Sequence, residues 1–123
     1  MSYAKLACQS GRWKGSTGGF NGHYLNLGST VGTYTSFNTS DKALAVFATG
    51  GNSTSGGQCG NRYDLGANIA GIGRVATNST ANDNYSKTGF LSFFVPAKTQ
   101  FSIESYPWGC GPGIFSAYAF IVE

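Results

Sequence analysis

Five carboxylates, Asp41, Asp64, Asp83, Glu104 and Glu123, and a single histidine, His23, are the side chains of this sequence best suited to move protons. A glycosidase would need two of the acids facing each other across roughly 5–9 Å, and most of them sit in turn-like segments with no pairing visible. A Ser-His-Asp triad would have to use His23, and no G-x-S-x-G elbow accompanies it. Gly71-Ile72-Gly73-Arg74-Val75-Ala76 meets the relaxed G-x-G-x-x-A dinucleotide pattern, but no helical segment follows it. It reads as a glycine-containing strand. The expectation is a protein that is not an enzyme and takes no cofactor.

The three cysteines, Cys8, Cys59 and Cys110, lack the C-x-x-C spacing of a zinc or redox site, so no metal is expected. Cys59 and Cys110 each lie in a glycine-flanked loop where two backbones can approach closely, and a disulfide between them is expected. Cys8 is left without a partner in that scheme. An odd cysteine in an exported protein points to a partner elsewhere or to a free thiol.

With catalysis set aside, three segments have the composition of a carbohydrate site, which pairs flat rings with amide, carboxylate or guanidinium groups. The first is Tyr106-Pro107-Trp108-Gly109-Cys110-Gly111-Pro112-Gly113, where Gly and Pro hold Tyr106 and Trp108 in a loop. Its structural alternative has Trp108 packed over the disulfide. The second is Asn61-Arg62-Tyr63-Asp64, which the disulfide would bring near the first; Arg62 is suited to a phosphate or carboxylate on an acidic sugar. Its alternative is a surface contact between Arg62 and Asp64. The third is Asn82-Asp83-Asn84-Tyr85, whose alternative is an ordinary Asx-rich turn. The expected glycan contacts are thus Arg62, Tyr63, Asp64, Asp83, Asn84, Tyr85, Tyr106 and Trp108. Four Asn-x-Ser/Thr sequons at Asn38, Asn52, Asn78 and Asn84 are read mainly as markers of exposed loops.

Such segments need a rigid scaffold, and the composition limits what it can be. Of 123 residues, 53 are Gly, Ser, Thr or Asn, a balance that excludes a helical bundle, while 41% are hydrophobic, enough for one ordered core. Apolar residues alternate with polar ones in 89–95, 99–105 and 114–122, and further strands are expected at 3–8, 12–14, 30–37, 43–49 and 68–76. In 114–122, Phe115, Ala117, Ala119 and Ile121 fall on one face. Pro96 ends one strand, and Ala97-Lys98 is expected to turn it back as a hairpin; Asn21-Gly22 is a second turn signal. Residues 50–60 and 78–86 read as exposed polar loops. The expected fold is all-β: a small antiparallel β-sandwich, jelly-roll-like, with long Gly/Ser/Asn loops.

Eight bases against five acids give a formal charge of +3, scattered from Lys5 to Lys98, which argues against a duplex-DNA binder and leaves no nucleic acid among the expected partners. No apolar run is long enough to cross a bilayer, so no membrane insertion is expected. The first residues lack the apolar region of a signal peptide. Any export signal would lie outside this sequence, as in a fragment of a longer chain.

Cys8-Gln9-Ser10-Gly11-Arg12-Trp13 resembles the C-Q-S-G-x-W junction peptide of the PilV-type minor pilins, adhesins at the tip of conjugative type IV pili. In that family the junction is encoded at a recombination site of a DNA-inversion switch, the shufflon, which joins a constant pilin body to alternative C-terminal segments. The resemblance implies that residues 1–13 are the end of the constant region and the junction, with residues 14–123 an exchangeable adhesin domain. It also implies an extracellular location at the pilus tip and two sets of partners: the constant pilin region with its pilus subunits, and lipopolysaccharide glycans of recipient bacteria bound during mating. Trp13 and Cys8 would then be architectural. The last third, around Phe94-Val95-Pro96-Ala97-Lys98, also resembles the C-terminal domains of some phage tail fibres, which gives a second receptor-binding reading; a surface-polysaccharide hydrolase is a third.

Overall fold

The computed structural model describes residues 24–122. The expectations placed on the 1–13/14–123 boundary, Cys8, Trp13, Asn21-Gly22, His23, Glu123 and the strands at 3–8 and 12–14 lie outside the described residues.

Eight strands follow in order: β1 (Leu25–Val31), β2 (Thr33–Asn38), β3 (Leu44–Ser53), β4 (Tyr63–Ile69), β5 (Gly73–Thr80), β6 (Gly89–Val95), β7 (Thr99–Glu104) and β8 (Gly113–Ile121). Their pairings are all antiparallel and form two four-stranded layers, β1-β8-β3-β6 and β2-β7-β4-β5. A single bridge, Asn52 opposite Tyr63, joins the layers where the chain passes from β3 to β4. This strand order is that of a jelly roll, as expected from the alternating pattern.

Alternation supplies the core. Leu44, Val46 and Ala48 of β3, Leu91, Phe93 and Val95 of β6, and Phe115, Ala117 and Ala119 of β8 face Leu65, Ala67 and Ile69 of β4 and Phe101 and Ile103 of β7, all buried. Small Ala positions in both layers make room for the Phe rings, so the layers interdigitate. Burying each large side chain stabilises the fold by about 1.5–3 kcal/mol. The outer faces differ in chemistry. On the first layer, rings pack along the surface, with Tyr24 against Phe120 at 4.5 Å, Phe120 against Phe47 at 5.4 Å and Phe47 against Phe90 at 6.4 Å. On the second, Arg74, Asn68 and Glu104 form a polar network.

Several expected elements are corrected. The strand expected at 30–37 is two strands, because the chain turns at Gly32 and crosses from one layer to the other. The strand expected at 68–76 is also two, β4 and β5, joined by a hairpin turn over residues 70–72 in which Ile72 N–H donates to Ile69 O at 2.9 Å. Residues 50–53 belong to β3 rather than to a loop. Gly50 and Gly51 form a bulge there, with φ of 113° and 80°, and a Cβ on Gly51 would lie 2.5 Å from the Asp64 carbonyl oxygen. β5 runs to Thr80, so the second polar loop is 81–88 rather than 78–86. The turn at 96–98 does not make a hairpin: β6 pairs with β3 and β7 with β2 and β4, so Pro96–Lys98 bridges the two layers. The sequons do not mainly mark loops either. Asn38 is buried in β2, and its amide donates to the carbonyls of Lys42, Val95 and Pro96 at 2.9–3.2 Å. Asn52 and Asn78 lie in β3 and β5; Asn84 alone of the four is an exposed loop residue.

The topology sorts the connections. The turn at Gly32 and loops 54–62, 81–88 and 105–112 gather at one end. The shorter turns at 39–43, 70–72 and 96–98 gather at the other, where Tyr24 begins β1's approach and Val122 N–H donates to Ala43 O.

Candidate functional site

The long loops meet at one end because alternate crossings of a jelly roll fall there, and polar contacts then fix them to one another. Cys59, in a 3-10 turn at Gly57–Asn61, is joined to Cys110 by a disulfide. Ser53 Oγ donates to Gly111 O at 2.9 Å, Thr54 Oγ1 donates to Pro112 O at 2.8 Å, and Gly111 N–H donates to Ser55 Oγ at 2.7 Å.

Arg62 ties the third loop in. One guanidinium nitrogen, Nη1, donates to Trp108 O at 2.9 Å, and Nη2 pairs with Asp83 Oδ2 at 3.1 Å. Asn61 Nδ2 donates to Asp83 O at 2.9 Å beside it. The alternative contact between Arg62 and Asp64 is not formed. With its side chain 22% exposed, Arg62 works as a brace between loops. Asn52 adds a further tie, donating to Gly60 O and Lys87 O and accepting from the Thr88 hydroxyl.

The rings at this end face solvent. Trp108 is 79% exposed, Tyr85 73% and Tyr106 53%. Trp108 is therefore not packed over the disulfide. Its neighbour Pro107 is buried and Cys110 half-buried, so the loop is anchored on either side of a ring that points outward. Tyr106 is held at two points: its N–H donates to Asp64 Oδ2 at 2.9 Å, and its hydroxyl lies 2.7 Å from Thr33 Oγ1.

Beside the Tyr106 and Trp108 rings lies a shallow cleft of about 120 Å³. It is lined by Tyr63 and Asp64 of β4, by Ser79 and Thr80, paired with them at the end of β5, with Ala81 beyond, and by Tyr106 and Trp108. Four of the eight residues expected from the sequence thus meet around one concavity. Arg62 and Asp83 stand behind it as a pair, while Asn84 and Tyr85 lie on the 81–88 loop outside the lining. On that loop Lys87 Nζ donates to Tyr85 O and lies 5.8 Å from the centre of the Tyr85 ring. The sequence reading missed Ser79 and Thr80. The sequence carried no local signal for them: they enter the lining because β4 and β5 are adjacent strands, with Ser79 directly opposite Asp64.

Among the described residues no group of three His, Cys, Asp or Glu side chains is placed to hold a metal ion. No helix among them is long and apolar enough to cross a membrane.

No family model matches the chain. It is 43% identical over 121 residues to Shufflon protein A of Escherichia coli, a match covering 95% of this chain and 25% of that protein. The chain is thus similar to a shufflon protein over nearly its whole length. The likeness first carried by the six residues Cys8 to Trp13 therefore extends through the sandwich and its loops, although the chain spans only a quarter of that relative's length. Among solved structures, the cupin domain of Schizosaccharomyces pombe Cnp3 aligns with 81% of this chain and 60% of its own, at 11% identity and a TM-score of 0.29, too distant to inform fold or function.

Proposed function

We propose that this chain is a non-catalytic recognition domain, an adhesin displayed at the tip of a conjugative type IV pilus, whose loop end binds lipopolysaccharide glycans on recipient bacteria and so stabilises mating pairs. The carrying observation is the shallow cleft at the loop end with the exposed rings of Trp108 and Tyr106 beside Asp64, Ser79 and Thr80. A sugar presents an apolar C–H face that a ring can cover and hydroxyls that a carboxylate or hydroxyl can meet. The kinship with a shufflon protein supports placing this surface on a pilus component outside the cell. Topology is in keeping with this: Tyr24, the first described residue, lies at the end away from the loops. A site this shallow binds weakly as a single copy, and repeated display would raise its avidity.

The test is a glycan array of lipopolysaccharide cores and O-antigens, probed with the 123-residue chain and with Trp108→Ala and Tyr106→Ala. Binding by the parent and at least about a tenfold loss in Trp108→Ala are expected, with no change in thermal stability because the ring is largely solvent-exposed. Parent binding unaffected by both substitutions, or no binding at all, would sink the reading. New reducing ends on incubation with purified polysaccharide would convert the adhesin into a hydrolase.

A further inference from the structure

The charges around the cleft are one-sided. Of the bases among the described residues, none lines it. Arg62 is committed to Asp83 and Trp108 O, and Arg74 to Glu104 and Asn68 on the sheet face. Lys98, against Asp41 and Thr39 O, and Lys42, in the 39–43 turn, both lie at the far end, and Lys87 donates to Tyr85 O. The one charged group in the lining is Asp64. Its Oδ2 is fixed by the Tyr106 N–H at 2.9 Å, its only hydrogen bond among the described residues, and Ser79 and Thr80 line the cleft with it.

We propose that this cleft selects neutral, hydroxyl-rich sugars and rejects sugars bearing a carboxylate or phosphate, with Asp64 as the residue that sets the selectivity. The proposal rests on the glycan-binding reading above and narrows it. A carboxylate has only acceptor sites, and one already held in place can take the protons of sugar hydroxyls in charge-assisted hydrogen bonds. An anionic group in the same cleft meets a like charge at close range, while the nearby guanidiniums of Arg62 and Arg74 are already paired with Asp83 and Glu104. The expectation that Arg62 would meet an acidic sugar is thereby replaced: the guanidinium positions the loops, and the selecting charge has the opposite sign. Within lipopolysaccharide the preferred partners would be neutral sugars rather than phosphorylated or acidic ones.

Matched oligosaccharides ending in glucose or galactose, or in the corresponding uronic acids, differ only in a CH2OH or a carboxylate at C6 and isolate the charge. Calorimetric titration of the parent should favour the neutral member by at least about tenfold. Asp64→Asn keeps an oxygen for the Tyr106 N–H while removing the charge; it should weaken neutral binding by about tenfold and bring the two sugars within about threefold of each other. The parent binding uronates as well as neutral sugars, or Asp64→Asn retaining the full preference, overturns the proposal. Trp108→Ala in the same titrations separates the two levels. Uronate binding that still depends on Trp108 defeats only the selectivity. Binding of neither sugar, or binding indifferent to Trp108, defeats the glycan site and the selectivity with it.

Discussion

Replacing both Cys59 and Cys110 with alanine removes the covalent tie between the 57–61 turn and the 105–112 loop while leaving every strand intact. The two cysteines are 51 residues apart in sequence, and closing a loop of that length in the unfolded chain corresponds to about 4 kcal/mol of stability at 25 °C. For a domain of 123 residues that loss lowers the melting temperature by roughly 12–20 °C. The variant should nevertheless fold, because the core residues sit in strands away from the bridge and the same loops remain joined through Ser53, Thr54, Ser55 and Arg62. Thermal melts followed by circular dichroism, on parent and double variant at one concentration and pH, read the shift directly. A fall smaller than about 5 °C would refute the chain-entropy argument. A double variant already unfolded at 25 °C would refute the claim that the sandwich stands without its crosslink.

Asn38→Ala should cost about 2–3 kcal/mol in urea unfolding, because the carbonyls of Lys42, Val95 and Pro96 lose a shared donor at a buried site. Gly51→Ala and Gly71→Ala both place a side chain at positive φ, but a Cβ at 51 collides with the backbone of Asp64 whereas one at 71 meets nothing within 4 Å. The second should therefore lose only about 1–2 kcal/mol, the first clearly more, and equal losses by the same assay would contradict the packing drawn around the bulge. A double-mutant cycle on Arg62→Ala and Asp83→Ala should give a coupling of about 1 kcal/mol, falling as salt is added, since both side chains are roughly a quarter exposed.

The fold class was legible because alternation is a local signal: β6, β7 and β8 lie within a residue or two of where apolar residues recur at every second position. Layer crossings were not legible. Gly32 interrupts a run of β-forming residues, and only the pairing of β1 with β8 and of β2 with β7 shows that the chain changes sheets there. Pro96 gave the same local signal in a hairpin as in a bridge between layers, and the choice depended on partners far away in sequence. Gly50 and Gly51 misled in the other direction, since a glycine bulge inside a strand has the composition of a loop. For the site, residue types pointed to Tyr63, Asp64, Tyr106 and Trp108, but Arg62 was committed elsewhere by Asp83, a residue 21 positions away. Exposed rings are also not confined to the loop end. Phe90 and Phe94 are exposed on the outer face of the first layer, not in the loops.

The same contacts explain how loops so rich in glycine and serine can form a defined cleft. A flexible loop must be ordered when a ligand binds, and that ordering subtracts from affinity. Here much of it is complete beforehand. Loops 54–62 and 105–112 share the disulfide, loops 54–62 and 81–88 share Asp83 through Asn61 and Arg62, and Tyr106 is pinned to both Asp64 and Thr33. None of these ties uses the ring faces of Trp108 or Tyr85. Side chains that project from the loops can therefore be exchanged while the ties that shape the loops stay in place, a division that suits the recognition role proposed above.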